Sequence, residues 1–111
     1  MQPAKALILV KVAHTLAWAF FVSCILALPV VALAGRLRWA LALALVVLCE
    51  CFVLLVNGWR CPLTDVAYRY TDDRADNFDI YLPRWLAKYN KQVFGTLFAA
   101  GVLVLLWRWL R

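Results

Sequence analysis

An all-α integral membrane fold follows from three observations on the 111 residues. Apolar side chains make up 67% of the chain at a mean hydropathy of +0.81, above the range of soluble globular domains. Those side chains are gathered into three long runs rather than dispersed. The cations, twelve Lys and Arg against six Asp and Glu, sit mainly beside the runs, where they orient and anchor spans. Membrane lipid is therefore the expected partner, with no nucleic acid. A single membrane domain over residues 1–111 is expected, with spans at about 6–34, 39–59 and 91–109 and a polar loop with short helices over 60–90.

The first run carries no formal charge from Val12 to Gly35 and is apolar back to Ala6. About 20 apolar residues cross a bilayer core, so this is the first transmembrane helix. Lys5, Lys11 and the Ala32-Leu33-Ala34 triplet imitate a secretory signal, and Phe21-Val22-Ser23-Cys24 imitates a lipoprotein site. The run is longer than a signal core, and Lys11 and His14 interrupt its start, so a resident helix is expected. Arg36 and Arg38 then leave room for a turn of only a few residues before Trp39 opens the second run. So short a connection implies an antiparallel N-terminal hairpin. Ala40 with Ala44, and Ala13 with Ala17, offer small faces for close approach.

After Trp59 the composition changes. Asp65 to Asp79 holds all five aspartates, with Arg69 and Arg74 interleaved. Pro62 and Thr64 suit the start of a short helix, with Thr64 as N-cap and Asp65 in its first turn. Thr71-Asp72-Asp73 predicts a break, and Asp76-Asn77-Phe78-Asp79 a second turn. Pro83 suits the first turn of another helix, on which Trp85, Leu86, Tyr89 and Val93 share an apolar face, a short interfacial amphipathic helix before the last span. Val93 to Trp107 gives fifteen uncharged residues, rising about 22 Å, enough to span if Lys91 and Arg108 snorkel. Eight of the twelve Lys and Arg lie in the amino terminus and long loop, which places both in the cytoplasm.

Glu50 is the most informative residue of the spans, because a mid-span carboxyl costs on the order of 3 kcal/mol unless neutral, paired or hydrated. Asn57 lies seven residues on and projects from nearly the same face, and depth counting brings His14, from the antiparallel first helix, to a level between them. Two uses follow: a polar pocket of His14, Glu50 and Asn57 for a lipid or quinone headgroup or a proton relay, or a structural His14–Glu50 bond that locks the hairpin. Gln92 and Thr96 approach from the same side.

No catalytic residue and no metal ligand set is assigned. Cys61 would need a base within hydrogen-bond reach, and the single histidine is expected deeper in the membrane; Ser23 lacks a base as well. One histidine does not supply two axial haem ligands within the chain. Asp72, Asp73, Asp76 and Asp79 lack the glycine and final glutamate of a calcium loop, so solvated pairs with Arg69, Arg74 and Arg84 are expected. Cys24, Cys49, Cys51 and Cys61 form no C-x-x-C pair and read as free thiols. No cofactor is specified by the residues.

The junction Asn57-Gly58-Trp59-Arg60-Cys61-Pro62-Leu63-Thr64 resembles that of a group of small, uncharacterised bacterial membrane proteins, a domain of unknown function marked by G-W-x-C-P-L-T after the second span. His14-Thr15-Leu16-Ala17-Trp18 and the Phe-x-x-x-Leu-Pro element from Phe78 to Pro83 extend the likeness over most of the chain. The resemblance singles out Trp59, Cys61, Pro62 and Thr64, and implies a multi-pass architecture and a bacterial inner membrane; it implies no mechanism. The expected role is association, as an accessory subunit of a membrane assembly or a homo-oligomer, through a close-packing face of Gly95 and Ala99 flanked by Thr96 and Ala100. The alternatives are a membrane enzyme or redox-linked component using the His14, Glu50 and Asn57 cluster on a lipid or quinone, and a transporter component in which Glu50 exchanges protons. A non-enzymatic role is preferred.

Overall fold

The computed structural model describes residues 2–75 and 77–111. Among these described residues, four helices follow in order: α1 (Pro3–Leu33), α2 (Leu37–Val56), α3 (Pro62–Ala67) and α4 (Arg84–Leu110). Three of them, α1, α2 and α4, are long and apolar enough to cross a membrane. The amphipathic stretch expected ahead of the last span forms the first turns of α4, which is one continuous helix of 27 residues. The chain divides into two compact units, Met1–Ala19 with Phe52–Tyr89 and Phe20–Cys51 with Asn90–Arg111. The three long helices each contribute to both.

The helix ends follow from glycines. Gly35 adopts φ +82°, a left-handed conformation that costs a glycine little. It ends α1 with paired bonds, Gly35 N–H to the Ala32 carbonyl and Arg36 N–H to that of Val31, the geometry of a Schellman cap. Gly58, at φ +65°, ends α2 in a related way, with Trp59 N–H reaching back to the Leu54 carbonyl. Trp59 is itself left-handed at φ +66°, a conformation costing a residue with a Cβ about 1–2 kcal/mol. The side chain of Asn57 braces this turn by donating to the Arg60 carbonyl at 2.8 Å.

The short helix starts earlier than expected. Cys61 is the N-cap of α3 and Pro62 opens it, where the fixed φ and missing N–H of proline are harmless. Thr64 lies inside the helix; its hydroxyl bonds Asp79 instead.

In the second unit the core is built on small residues. Ala32, Ala40 and Ala44 are buried with Leu28 and Leu105, and Cys24, Ile25 and Val47 form a second cluster. Ala40 and Ala44 thus make the buried face their spacing predicts, whereas Ala13 is exposed. A Cβ on Gly101 would meet Leu28 Cδ2 at 3.0 Å, so Leu28 occupies the space a larger residue would need.

In the first unit the loop is organised by its own side chains. Tyr68 and Phe78 stack at 5.9 Å, and the Arg74 guanidinium lies over the Tyr68 ring, 4.0 Å from its centroid. The expected break at Thr71-Asp72-Asp73 closes with Asp73 N–H on the Thr71 hydroxyl and Ala75 N–H on the Asp73 carboxylate. Asp76, the first residue of the second expected turn, lies outside the described residues; Asn77 to Asp79 do turn, and Asn77 donates its side-chain amide to the Ala87 carbonyl at 2.7 Å.

Candidate functional site

Ala6, Val10 and His14 are buried along one stripe of α1, the i, i+4, i+8 spacing of a single helix face. The third member of an otherwise apolar stripe is therefore polar, and burial obliges it to find a partner. That partner is Asp79, 65 residues away: His14 Nδ1 and Asp79 Oδ2 are 2.5 Å apart. Thr64 Oγ1 donates to the same oxygen at 2.8 Å. Beside them, Tyr81 N–H donates to the Thr15 hydroxyl at 3.0 Å, which ties the chain after Asp79 to the helix turn that carries His14.

Asp79 is completely buried, and its second oxygen, Oδ1, has no hydrogen-bond partner among the described residues. Burial pushes its carboxyl up, yet the His14 hydrogen bond and charge, with the Thr64 hydroxyl, outweigh this and hold it below the ordinary carboxylate range. Asp79 is consequently an anion at neutral pH, and Nδ1 must carry a proton to bond it. This leaves Nε2 as the second working nitrogen. Cys61 heads the turn that also presents Thr64. Among the described residues no three His, Cys, Asp or Glu side chains converge to hold a metal ion.

Asn57 belongs to a second, more exposed cluster. Its amide donates to Asp65 Oδ2 at 2.8 Å, and Arg60 Nε donates to Asp65 Oδ1 at 3.0 Å. These bonds, that of Asn57 first, hold the Asp65 carboxyl below its usual range.

Of the residues singled out from the sequence, His14 and Asn57 each engage an aspartate, Asp79 and Asp65 respectively, and Glu50 is half-buried on α2. Of the junction residues, Thr64 reaches the His14 site through Asp79, Cys61 is the N-cap of α3, Pro62 starts it, and Trp59 is exposed. Thr96 returns its hydroxyl to the Gln92 carbonyl of its own helix. Gly95 and Ala99 are exposed on α4.

One expectation is corrected: Asp79 is a buried partner of His14 rather than a solvated partner of an arginine. Depth counting places the loop outside the spans, whereas Asp79 bonds α1 itself through His14. The signal for Asp79 was its setting: it stands between Phe78 and Ile80, whereas Asp72 and Asp73 have polar neighbours. No protein-family model, curated protein or solved structure matches the chain. What fold and composition define is a helical protein with three apolar helices fit to span a membrane.

Proposed function

We propose that the protein works by association within a membrane, as a homo-oligomer or as an accessory subunit of a larger assembly. The observation that carries this reading is the contrast between glycines on α4. Gly101 is occupied by Leu28, whereas a Cβ on Gly95 would meet nothing within 4 Å, and Thr96, Ala99 and Ala100 beside it are exposed. Small residues on a lipid-facing helix allow a neighbouring backbone to approach closely. In this reading α1 and α2 form an antiparallel hairpin, the first turns of α4 lie at the interface, and the amino terminus and loop face the cytoplasm of a bacterial inner membrane.

Native mass spectrometry of the gently extracted protein tests it. A defined assembly is expected, made of this chain alone or with another subunit, and Gly95→Leu with Ala99→Leu should reduce it to the single chain. An assembly unchanged in the double variant would remove the α4 face from consideration.

A second reading, a membrane enzyme acting on lipid, is favoured by a separate observation: the buried His14–Asp79 pair. A proton-exchanging transporter through Glu50 has no such support.

A further inference from the structure

Arg36, Arg38, Arg108 and Arg111 belong to the unit of Phe20–Cys51 and Asn90–Arg111, in which Glu50 is the single acidic residue. Glu50 lies well along α2 from Arg38, a rise of about 18 Å, too far to answer them. The fold gathers these arginines at the turn between α1 and α2. Arg108 Nη2 is 3.2 Å from where a Cβ on Gly35 would stand, and Arg36 follows that glycine directly. Arg108 is half-buried, while Arg36 and Arg38 are exposed. Arg111 is engaged by the Trp107 ring, 5.0 Å from its centroid. Among the described residues the ion pairs are His14 with Asp79 and Arg60 with Asp65, so no carboxylate neutralises the guanidiniums at Gly35.

Like charges brought together repel unless an anion stands among them. Orientation gives no reason for the cluster, since this end carries the minority of the cations and faces away from the cytoplasm in the topology proposed above. Snorkelling gives none for Arg108, because a side chain reaching for water has no need to settle half-buried over a glycine turn. α2 begins at the same place with no acidic residue in its first turn, so its leading amides add donors of the same polarity.

We infer that the turn at Gly35 binds the phosphate of an anionic phospholipid, held by Arg36, Arg38 and Arg108. The phosphate follows from the donors, since guanidinium forks match its oxygens two at a time. The lipid follows from the level: the turn joins two spans and Arg108 closes the third, where headgroups lie. The net charge follows from the cations, which would repel the ammonium of a zwitterionic headgroup. A groove lined by Leu41, Leu105, Leu106 and Trp109 lies beside them, with Leu41 and Leu105 one helix turn inward from Arg38 and Arg108. It takes an acyl chain below the headgroup. Any phospholipid has such a chain, so selection rests with the arginines.

These residues are not those of the Gly95 and Ala99 face, and bound lipid and bound subunits are separate mass increments, so either reading can fail alone. The full chain in mild detergent is titrated with dioleoyl phosphatidylglycerol and, separately, with dioleoyl phosphatidylcholine, which has the same acyl chains. Native mass spectrometry counts the bound lipid. The wild type should bind one phosphatidylglycerol at least roughly tenfold more tightly than phosphatidylcholine. Arg108→Gln should weaken phosphatidylglycerol binding roughly tenfold and leave phosphatidylcholine binding unchanged, with Arg108→Lys recovering part of the loss. Arg36→Gln with Arg38→Gln should act in the same direction. Arg69→Gln with Arg84→Gln, an equal loss of charge in the other unit, should leave the preference intact. Circular dichroism identifies which variants keep their helices. Equal binding of the two lipids by the wild type, an unchanged preference in helical Arg108→Gln, or an equal loss in the Arg69 and Arg84 variant would each overturn the inference. Displacement of phosphatidylglycerol by glycerol 3-phosphate at matching concentration would overturn it too, because a soluble phosphate would then be the ligand.

Discussion

The two units are held together by different physics. In the unit of Met1–Ala19 and Phe52–Tyr89, the distant contacts include hydrogen bonds between few atoms: His14 and Thr64 on one oxygen of Asp79, and Tyr81 on Thr15. In the unit of Phe20–Cys51 and Asn90–Arg111, they include van der Waals contacts among Leu28, Ala32, Ala40, Ala44 and Leu105. A polar contact of the first kind fails all at once, because the surviving partner is stranded without water. A packed contact fails by degrees, in proportion to the volume gained or lost. The first unit should therefore be sensitive to chemistry and the second to size.

The largest effect is expected at Asp79. Asp79→Ala strands buried His14 and Thr64 together, and removing one partner of a buried pair costs about 3 kcal/mol or more. Equilibrium unfolding in micelles measures it, and a loss below about 1 kcal/mol would mean that the pair does not hold the unit. Next comes volume. Gly101→Val forces atoms into the space of Leu28 and should cost roughly 1–3 kcal/mol. Gly95→Ala, with open space at its Cβ, should instead stabilise the single chain by up to about 1 kcal/mol through helix propensity. Equal responses at the two glycines would erase the distinction between an occupied face and a free one.

These contrasts also explain which parts of the molecule were legible beforehand. Helices are written locally, so the spans expected at 6–34, 39–59 and 91–109 fall within a few residues of α1 and α2 and within α4. Gly35 and Gly58 mark ends by a conformation that sequence reveals. A partner 65 positions away is written nowhere locally. Reading each residue against its neighbours made Glu50 conspicuous, as a carboxyl in an apolar run, and made Asp79 one acid among five. It also makes Thr64 a cap, whereas its hydroxyl bonds Asp79. What was missed in each case was a long-range polar bond, the very kind of contact that distinguishes the first unit.

Acid separates the units further. The Asp79 carboxyl is held below its unperturbed value of 3.8, so the folded state binds that proton less readily than the unfolded chain does. A group depressed in this way contributes stability that is complete above about pH 4 and is lost as pH falls through its folded value. Exchange protection of the Tyr81 amide, which bonds Thr15 next to His14, should therefore fall away below about pH 4. The cluster of Leu28, Ala40 and Leu105, which contains no titratable group, should persist there. Loss of both together would show that one cooperative transition overrides the difference in their contacts.

The smallest effect is expected at the exposed cluster. Asn57 makes two bonds of 2.8 Å, to the Arg60 carbonyl and to Asp65, but water competes for both, and the Arg60–Asp65 pair is similarly open, with side chains 49% and 39% exposed. Exposed ion pairs contribute little, and a typical hydrogen bond nets about 1 kcal/mol. Asn57→Ala should thus cost no more than about 1 kcal/mol, well short of Asp79→Ala, although both remove a partner from an interaction with an aspartate. The two aspartates differ chiefly in burial, so the ratio of the two losses measures what burial adds. Adding Asp65→Asn to Asn57→Ala should change stability little further, because Asp65 without Asn57 is hydrated. A loss at Asn57 as large as that at Asp79 would show that the left-handed turn of Gly58 and Trp59, which Asn57 braces, is itself a determinant of the fold.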